Sequence, residues 1–222
     1  MKADYWHTCW QDGRLGFHQS RFNSRLEQFW TTIGVQQGAS VLVPLCGKSL
    51  DMLMLHRLGH PVVGVELSEI AVEAFFTENQ LSYEVHQNGN LQEFTGTGAA
   101  TGLRLFAGDW FSLNIEQIGA VGGFYDRAAL IAMPPDMRQQ YVEKLASLLP
   151  LGAVGLLISL AYDPTKMKGP PFSVPDGEVD KRLSGNFLIE QIDYSSGPER
   201  LGSLQKRGLD TMEERVYRLQ RA

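Results

Sequence analysis

The chain has 222 residues, with 20 lysines and arginines against 25 aspartates and glutamates, and its formal net charge is −5 at pH 7. This acidic balance argues against a nucleic acid or an anionic membrane as a partner, because both attract basic surfaces. The 43% hydrophobic content can build one substantial core, so we predict a single domain over 1–222. Cys9 and Cys46 are too few for a disulfide framework, and the sequence shows neither the apolar core of a secretory signal nor an apolar run of membrane-spanning length. We therefore expect a cytoplasmic monomer.

Apolar runs alternate with segments of helical period, which is typical of a parallel sheet flanked by helices. The predicted elements in chain order are an N-terminal helical segment at 1–34, strand 40–45, helix 47–60, strand 61–67, helix 68–80, strands 103–110 and 120–130, helix 137–150, and strands 153–162, 187–196 and 214–220. The last two strands alternate apolar and polar residues and are predicted to lie at sheet edges. The polar, glycine-rich stretch 86–102 predicts an exposed hairpin or a flexible loop. The fold class that follows is α/β and Rossmann-like, with a mostly parallel seven-stranded sheet and helices on both faces.

The first predicted strand runs into a glycine-containing turn, "VLVPLCGKSLDM" at 41–52. A phosphate-binding P-loop needs a glycine five residues before Gly47, but Leu42 stands there and Pro44 lacks an N–H donor. A dinucleotide fingerprint needs three glycines, and this turn supplies one. What remains is a tight turn at the carboxyl end of a strand, where open α/β sheets bind their ligands.

Two acidic residues at strand ends complete this ligand hypothesis. Glu66 ends the second predicted strand about twenty residues beyond the turn, where dinucleotide-binding folds place the acid that holds the ribose hydroxyls. In "FAGDW", Asp109 lies near the end of the third predicted strand, where an adenine amino group could lie near a carboxylate. A glycine turn, Glu66 and Asp109 in this order fit adenosine without a pyrophosphate, which points to S-adenosylmethionine as the cofactor.

Five segments then carry a family resemblance: "DYWHTCWQDGRLGFH", "VLVPLCGKSLDM", "VVGVELSE", "YDRAALIAMPPDMRQQYVEKL" and "YDPTKMKGPPFSVPDGEV". Together they resemble the thiopurine S-methyltransferases, bacterial branch, over nearly the whole chain. The resemblance implies a class I methyltransferase that transfers a methyl group from S-adenosylmethionine to the sulfur of an aromatic or heterocyclic thiol such as 6-mercaptopurine, and leaves S-adenosylhomocysteine. Family members are also associated with methylation of selenium and tellurium species.

The resemblance also assigns site residues by motif. On the cofactor side it implies Trp10, Leu45, Glu66, Gly108, Asp109, Trp110 and Arg127. On the thiol side we take Phe17, His18, Arg127, Arg200 and Arg207 as candidates, and the sequence does not decide which late arginine faces the substrate. A guanidinium beside the sulfur would favour the thiolate, so we assign Arg127 the catalytic role. No strong general base is required, because an aryl thiol ionises readily.

Other interpretations remain open at this point. The aromatic segment 1–34 is either a helix pair that covers the sheet or a lid that closes over cofactor and thiol, and the resemblance favours the lid. The loop 163–175 is either rigid structure or a substrate wall. The histidines lack metal-ligand spacing, so no metal is expected. The alternatives to an S-methyltransferase are a non-catalytic S-adenosylmethionine sensor and a small-molecule O- or N-methyltransferase.

Overall fold

The computed structural model describes residues 3–14, 16, 18–198 and 201–222. Their contacts group into two compact units, residues 1–125 and residues 126–222. The single domain expected over 1–222, with a lid at 1–34, stays a prediction.

The first unit holds the predicted parallel core. Its elements are α1 Ala3–Gln11, α2 Ser24–Phe29, β1 Val41–Pro44, α3 Asp51–Arg57, β2 Val62–Glu66, α4 Glu69–Glu78, β3 Ser82–Asn88, β4 Leu91–Thr97, β5 Leu103–Ala107, α5 Ile115–Ile118 and β6 Gly123–Asp126, whose last residue opens the second unit. The strands lie in the order β3-β4-β5-β2-β1-β6. Strands β5, β2, β1 and β6 are parallel neighbours, whereas β3, β4 and β5 pair antiparallel. Every residue of β1 and β2 is buried, as their continuous apolar sequences predict.

The second unit is antiparallel. Its further elements are α6 Ala129–Ala132, α7 Arg138–Leu148, β7 Val154–Ala161, α8 Asp176–Leu183, β8 Phe187–Ser196 and β9 Glu213–Arg221. Strand β9 pairs antiparallel with both β7 and β8, so β9 lies between them. The prediction that 187–196 is an edge strand agrees with this order, but the prediction for 214–220 is wrong, because Val216, Tyr217 and Leu219 are buried between two neighbours.

The described part of the chain contains nine strands rather than the predicted seven. The two additional strands are β3 and β4, which form a paired hairpin where the sequence left a flexible loop open as an alternative. Leu91 and Phe94 of β4 are fully buried, so the polar composition of this stretch did not prevent packing. Within the two units, three strand pairs are parallel and four are antiparallel, so the strand pairing is mixed rather than mostly parallel. The α/β class itself is confirmed.

A buried aspartate ends β6 and begins α6. One oxygen of Asp126 accepts the backbone N–H groups of Ala129 and Leu130 at 3.0 and 3.2 Å, and the other accepts the hydroxyl of Tyr141 at 2.7 Å. Burial raises the pKa of Asp126 to about 6, although these three hydrogen bonds act to lower it. The folded protein therefore holds this proton more tightly than the unfolded chain does. The contribution of Asp126 to stability is present below pH 3.8 and is lost as the pH rises through about 6.

Replacing this carboxyl by an amide should remove that pH dependence. The shift from 3.8 to about 6 corresponds to about 3 kcal/mol. We expect the free energy of unfolding of Asp126→Asn, relative to the wild type, to increase by about that amount between about pH 4 and about pH 7. Urea denaturation at several pH values measures it. Tyr141→Phe removes a hydrogen bond that lowers the pKa of Asp126, so the loss of stability should occur at higher pH in this variant. A difference in unfolding free energy between Asp126→Asn and the wild type that does not change with pH would contradict the role of Asp126.

Candidate functional site: an acid-lined crevice at the strand ends

A left-handed bend follows β1. Leu45 has φ +48° and Gly47 has φ +52°, and the N–H of Cys46 between them donates to the carbonyl of Val65 at 2.9 Å. Glycine adopts this conformation freely, but for leucine it is uncommon and strained. Strained backbone of this kind is concentrated at ligand sites, so the bend predicted from the sequence has the geometry of a functional turn.

Glu66 is the last residue of β2 and its carboxylate faces this bend. One oxygen accepts the N–H of Gly47 at 3.0 Å, and the other accepts the N–H of Ser68 at 3.0 Å. The side chain is only 7% exposed. Burial raises the pKa of Glu66, while hydrogen bonds from Ser68, Gly47, Leu67 and Trp10 act in the opposite direction. Four protein groups thus hold one buried carboxylate at the end of the strand.

Trp10 brings α1 to the same place. Its indole donates to the Glu66 carboxylate, and its ring lies so close to Gly47 that a Cβ there would be 3.2 Å from Cζ2. Trp10 itself is buried. The structure therefore places Trp10, Leu45 and Glu66 around one turn, and their roles toward the cofactor stay predictions.

The end of β5 lies against the backbone at Glu66. The N–H of Gly108 donates to the backbone carbonyl of Glu66 at 2.8 Å, and at φ +144° a Cβ on Gly108 would collide with Leu91. The Asp109 carboxylate accepts the N–H of Phe111 at 3.1 Å and so caps a short 3-10 turn, while the ring of Trp110 is buried. The roles of Gly108, Asp109 and Trp110 toward adenine stay predictions.

A cavity of about 310 Å³ opens beside Glu66. It is lined by His7 of α1, residues 67–70, Gln92 of β4, Ala107 at the end of β5, and Gly108 after it. The sequence alone predicts no role for His7 or Gln92. Nothing local signals them, because only the antiparallel pairing of β4 with β5 brings Gln92 to the strand ends.

The remaining predicted residues lie in the second unit or outside this crevice. Arg127 is partly buried in the two-residue link between β6 and α6. Arg207 is exposed and donates to the carbonyl of Pro170 at 2.6 Å, in the loop predicted as a substrate wall. His18 is partly buried. Phe17 and Arg200 lie outside the described residues.

A nucleophilic cysteine finds little support in this crevice. Burial, and then the charge of Glu66, raise the pKa of the Cys46 thiol well above its ordinary value, which disfavours a nucleophilic thiolate.

Within 3–14, 16, 18–198 and 201–222, no three His, Cys, Asp or Glu side chains are grouped to hold a metal ion. No helix in those ranges is long and apolar enough to cross a bilayer.

Solved structures define the class of the fold. The chain is similar to the magnesium protoporphyrin IX methyltransferase of Synechocystis PCC 6803, solved with bound SAH, with a TM-score of 0.66, 17% identity and coverage of 99% of this chain and 98% of that one. It is also similar to the 1,6-didemethyltoxoflavin-N1-methyltransferase of Burkholderia thailandensis, solved with 1,6-didemethyltoxoflavin and S-adenosylhomocysteine, with a TM-score of 0.66, 17% identity and coverage of 99% and 87%. The fold is that of the class I methyltransferases that depend on S-adenosylmethionine.

Sequence comparison then gives the family. The family model for thiopurine S-methyltransferase matches residues 1–222. Proteins named thiopurine S-methyltransferase are 44% identical in Pseudomonas syringae pv. syringae, over 100% of this chain and 99% of the relative, and 42% identical in Bordetella pertussis, over the same shares. This chain belongs to the thiopurine S-methyltransferase family, and the resemblance seen in the sequence is confirmed.

The contact between Gly47 and Trp10 can be tested through stability. Gly47→Ala adds a methyl group 3.2 Å from the indole at a left-handed φ, whereas Gly38→Ala adds one at φ +76° with nothing within 4 Å. Both should lose about 1 to 2 kcal/mol for the backbone, and Gly47→Ala should lose roughly 1 kcal/mol more for crowding. Urea denaturation measures both losses. In a Trp10→Ala background the additional loss should disappear, and its persistence would contradict the contact.

Proposed function

We propose that this chain is an enzyme that transfers the methyl group of S-adenosylmethionine to the sulfur of thiopurines and related aromatic or heterocyclic thiols, and that it releases S-adenosylhomocysteine. The observation that carries the proposal is the buried Glu66 carboxylate against the left-handed bend at Gly47. Membership of the family over the whole chain supports it, because the relatives are named for this reaction.

The crevice fits the nucleoside of this cofactor in size and chemistry. The two oxygens of the Glu66 carboxylate suit the two adjacent hydroxyls of a ribose. Trp10 and Leu45, on either side of the bend, would line the sugar and the amino-acid portion. The cavity of about 310 Å³ beside Glu66 would take the base, bordered by the backbone at 108–110. A P-loop or a dinucleotide site would need glycines that this turn does not have.

The chemistry asked of the site is a direct displacement. Bound S-adenosylmethionine supplies an electrophilic methyl group: the substrate sulfur bonds to the methyl carbon, the carbon–sulfonium bond breaks, its electron pair stays on the donor sulfur, and the thiol proton goes to water. The protein contributes alignment, which is worth up to roughly 7 to 11 kcal/mol in well-oriented systems. We assign Arg127 the task of favouring the thiolate, because a guanidinium stabilises the adjacent anion.

The thiol side of the site rests on the family resemblance. Phe17 and His18 would close over the substrate from the N-terminal lid. The bond from Arg207 to Pro170 supports a role for this arginine beside the 163–175 loop, and Arg200 remains the other candidate. That Cys9 and Cys46 are free thiols supports the expected cytoplasmic location. The monomeric state, and methylation of selenium and tellurium species, stay predictions.

One assay tests the proposal directly. Purified protein with S-adenosylmethionine should convert 6-mercaptopurine to its S-methyl product, and it should act far more slowly on the matched 6-hydroxy and 6-amino purines. Preference for a phenol or an amine over a matched thiol would assign an O- or N-methyltransferase instead. Binding of S-adenosylhomocysteine without turnover of any acceptor would indicate a sensor.

The role of Glu66 is open to a binding measurement. Glu66→Gln keeps the shape of the side chain but removes its charge and turns an acceptor into a donor facing backbone N–H groups. A hydrogen bond to a charged group is worth about 1.5 to 3 kcal/mol, so the dissociation constant for S-adenosylhomocysteine should rise at least about tenfold by calorimetry. Glu73→Gln, on the exposed face of α4, is the control and should bind like the wild type. Unchanged affinity in a folded charge-reversed variant, Glu66→Lys, would exclude the assignment.

The role of Arg127 can be tested by a kinetic measurement. Arg127→Ala should lower kcat/KM for 6-mercaptopurine by about 100-fold or more, since it removes a charge that stabilises the reacting thiolate. Its free energy of unfolding should change by less than about 1 kcal/mol, because the residue is only partly buried. The pH–rate profile should also move to higher pH. Arg57→Ala, an exposed arginine on α3, serves as the control, and normal turnover by Arg127→Ala refutes the role.

A further inference from the structure

The side chain of Gln92 contains a buried acceptor that the protein does not use. Its carboxamide oxygen is shielded from solvent and has no hydrogen-bond partner in the structure. Most buried polar atoms in folded proteins are paired, and an unpaired acceptor costs free energy that a donor would recover. The residue therefore calls for an explanation outside the protein's own hydrogen bonding.

The position of Gln92 explains why its carboxamide oxygen is left without a partner in the protein. It lies on β4, paired with Ala107 at the end of β5, and it lines the cavity of about 310 Å³ together with His7, residues 67–70 and Gly108. Two other polar groups there are already engaged or exposed. The N–H of Ser68 donates to Glu66, and Glu69 is on the surface. Gln92 is thus the buried acceptor at this cavity.

The cavity is also where a base would lie. Residues 67 and 68 follow Glu66 directly, and the N–H of Gly108 donates to the Glu66 carbonyl at 2.8 Å. In a nucleoside the base is attached to the sugar carbon next to the one that bears the 2′-hydroxyl. A ribose held by the Glu66 carboxylate therefore directs its base toward these residues.

Building on the proposed function, we infer that Gln92 recognises the adenine of the cofactor, with its carboxamide oxygen accepting a hydrogen bond from the exocyclic amine. A glutamine carboxamide and the edge of adenine form complementary pairs, with the amine as donor and a ring nitrogen as acceptor. Gln92 has three side-chain torsions, so a rotamer change presents the carboxamide to the cavity. Gln92 is then a specificity-determining residue for the nucleobase.

The test is a binding cycle between this side chain and the amine. Calorimetry would compare S-adenosylhomocysteine with its 6-deamino analogue, in which hydrogen replaces the exocyclic amine. The wild type should bind S-adenosylhomocysteine about tenfold more tightly than the analogue, within the range known for such pairs. Gln92→Leu should bind both equally and at the weaker level. Gln92→Glu keeps an acceptor oxygen, so it should retain the preference for the amine.

A neighbouring glutamine provides the control. Gln87 faces Gln92 across the β3–β4 pair, but its amide donates to the carbonyls of Gly89 and Leu91 in the hairpin turn. Gln87→Leu should reduce stability in urea and leave the preference for the amine unchanged. If Gln92→Leu keeps the wild-type preference, the inference is overturned while the proposed function stands. If the wild type binds neither ligand, both fail.

Discussion

The buried carboxylate of Glu66 is the constraint on which the ligand crevice depends. Removing a carboxylate from water costs several kcal/mol unless hydrogen-bond donors surround it. Here the donors are the backbone N–H groups of Gly47, Leu67 and Ser68 and the indole of Trp10, and the pKa of Glu66 is still raised, so desolvation outweighs them. The bend after β1, the start of α4 and the end of α1 are consequently tied to one side chain. None of them can shift without leaving a buried charge short of a donor.

The sequence predicts the parallel strands well because burial on both faces requires continuous apolar residues, and such runs are visible without tertiary information. The sequence predicts the fold less well where pairing between strands determines which segments are buried. The β3–β4 hairpin is held by its antiparallel contact with β5, and β9 alternates like an edge strand although it lies between β7 and β8. The run 120–130 divides at Asp126, whose carboxylate accepts the first N–H groups of α6 and so ends the strand. These hydrogen bonds from the backbone to a side chain cannot be seen in the hydropathy of the sequence.

The site likewise contains features that the sequence predicts and features that depend on tertiary contacts. Gly47 and Glu66 could be predicted because a turn glycine and a strand-end acid at this spacing have a known physical use. The left-handed backbone of Leu45, the indole bond of Trp10 and the cavity position of Gln92 could not. Each depends on which segments meet in space, and a sequence pattern carries no such information. The Asp109 carboxylate caps a local turn after β5, and its role toward adenine stays a prediction.

The occupied carboxylate also determines where cofactor affinity must arise on the proposed function. A carboxylate offers about four acceptor positions, and four protein donors already approach Glu66. A ribose diol would therefore bind in competition with the Trp10 indole, so the loss of the indole bond offsets part of the free energy gained from the two hydroxyls. The remainder of the affinity has to come from burial of the base and its hydrogen bonds in the adjoining cavity. Release of Trp10 from Glu66 and occupation of the base cavity are then linked equilibria, so a substitution that weakens the indole bond strengthens base binding by the same free energy.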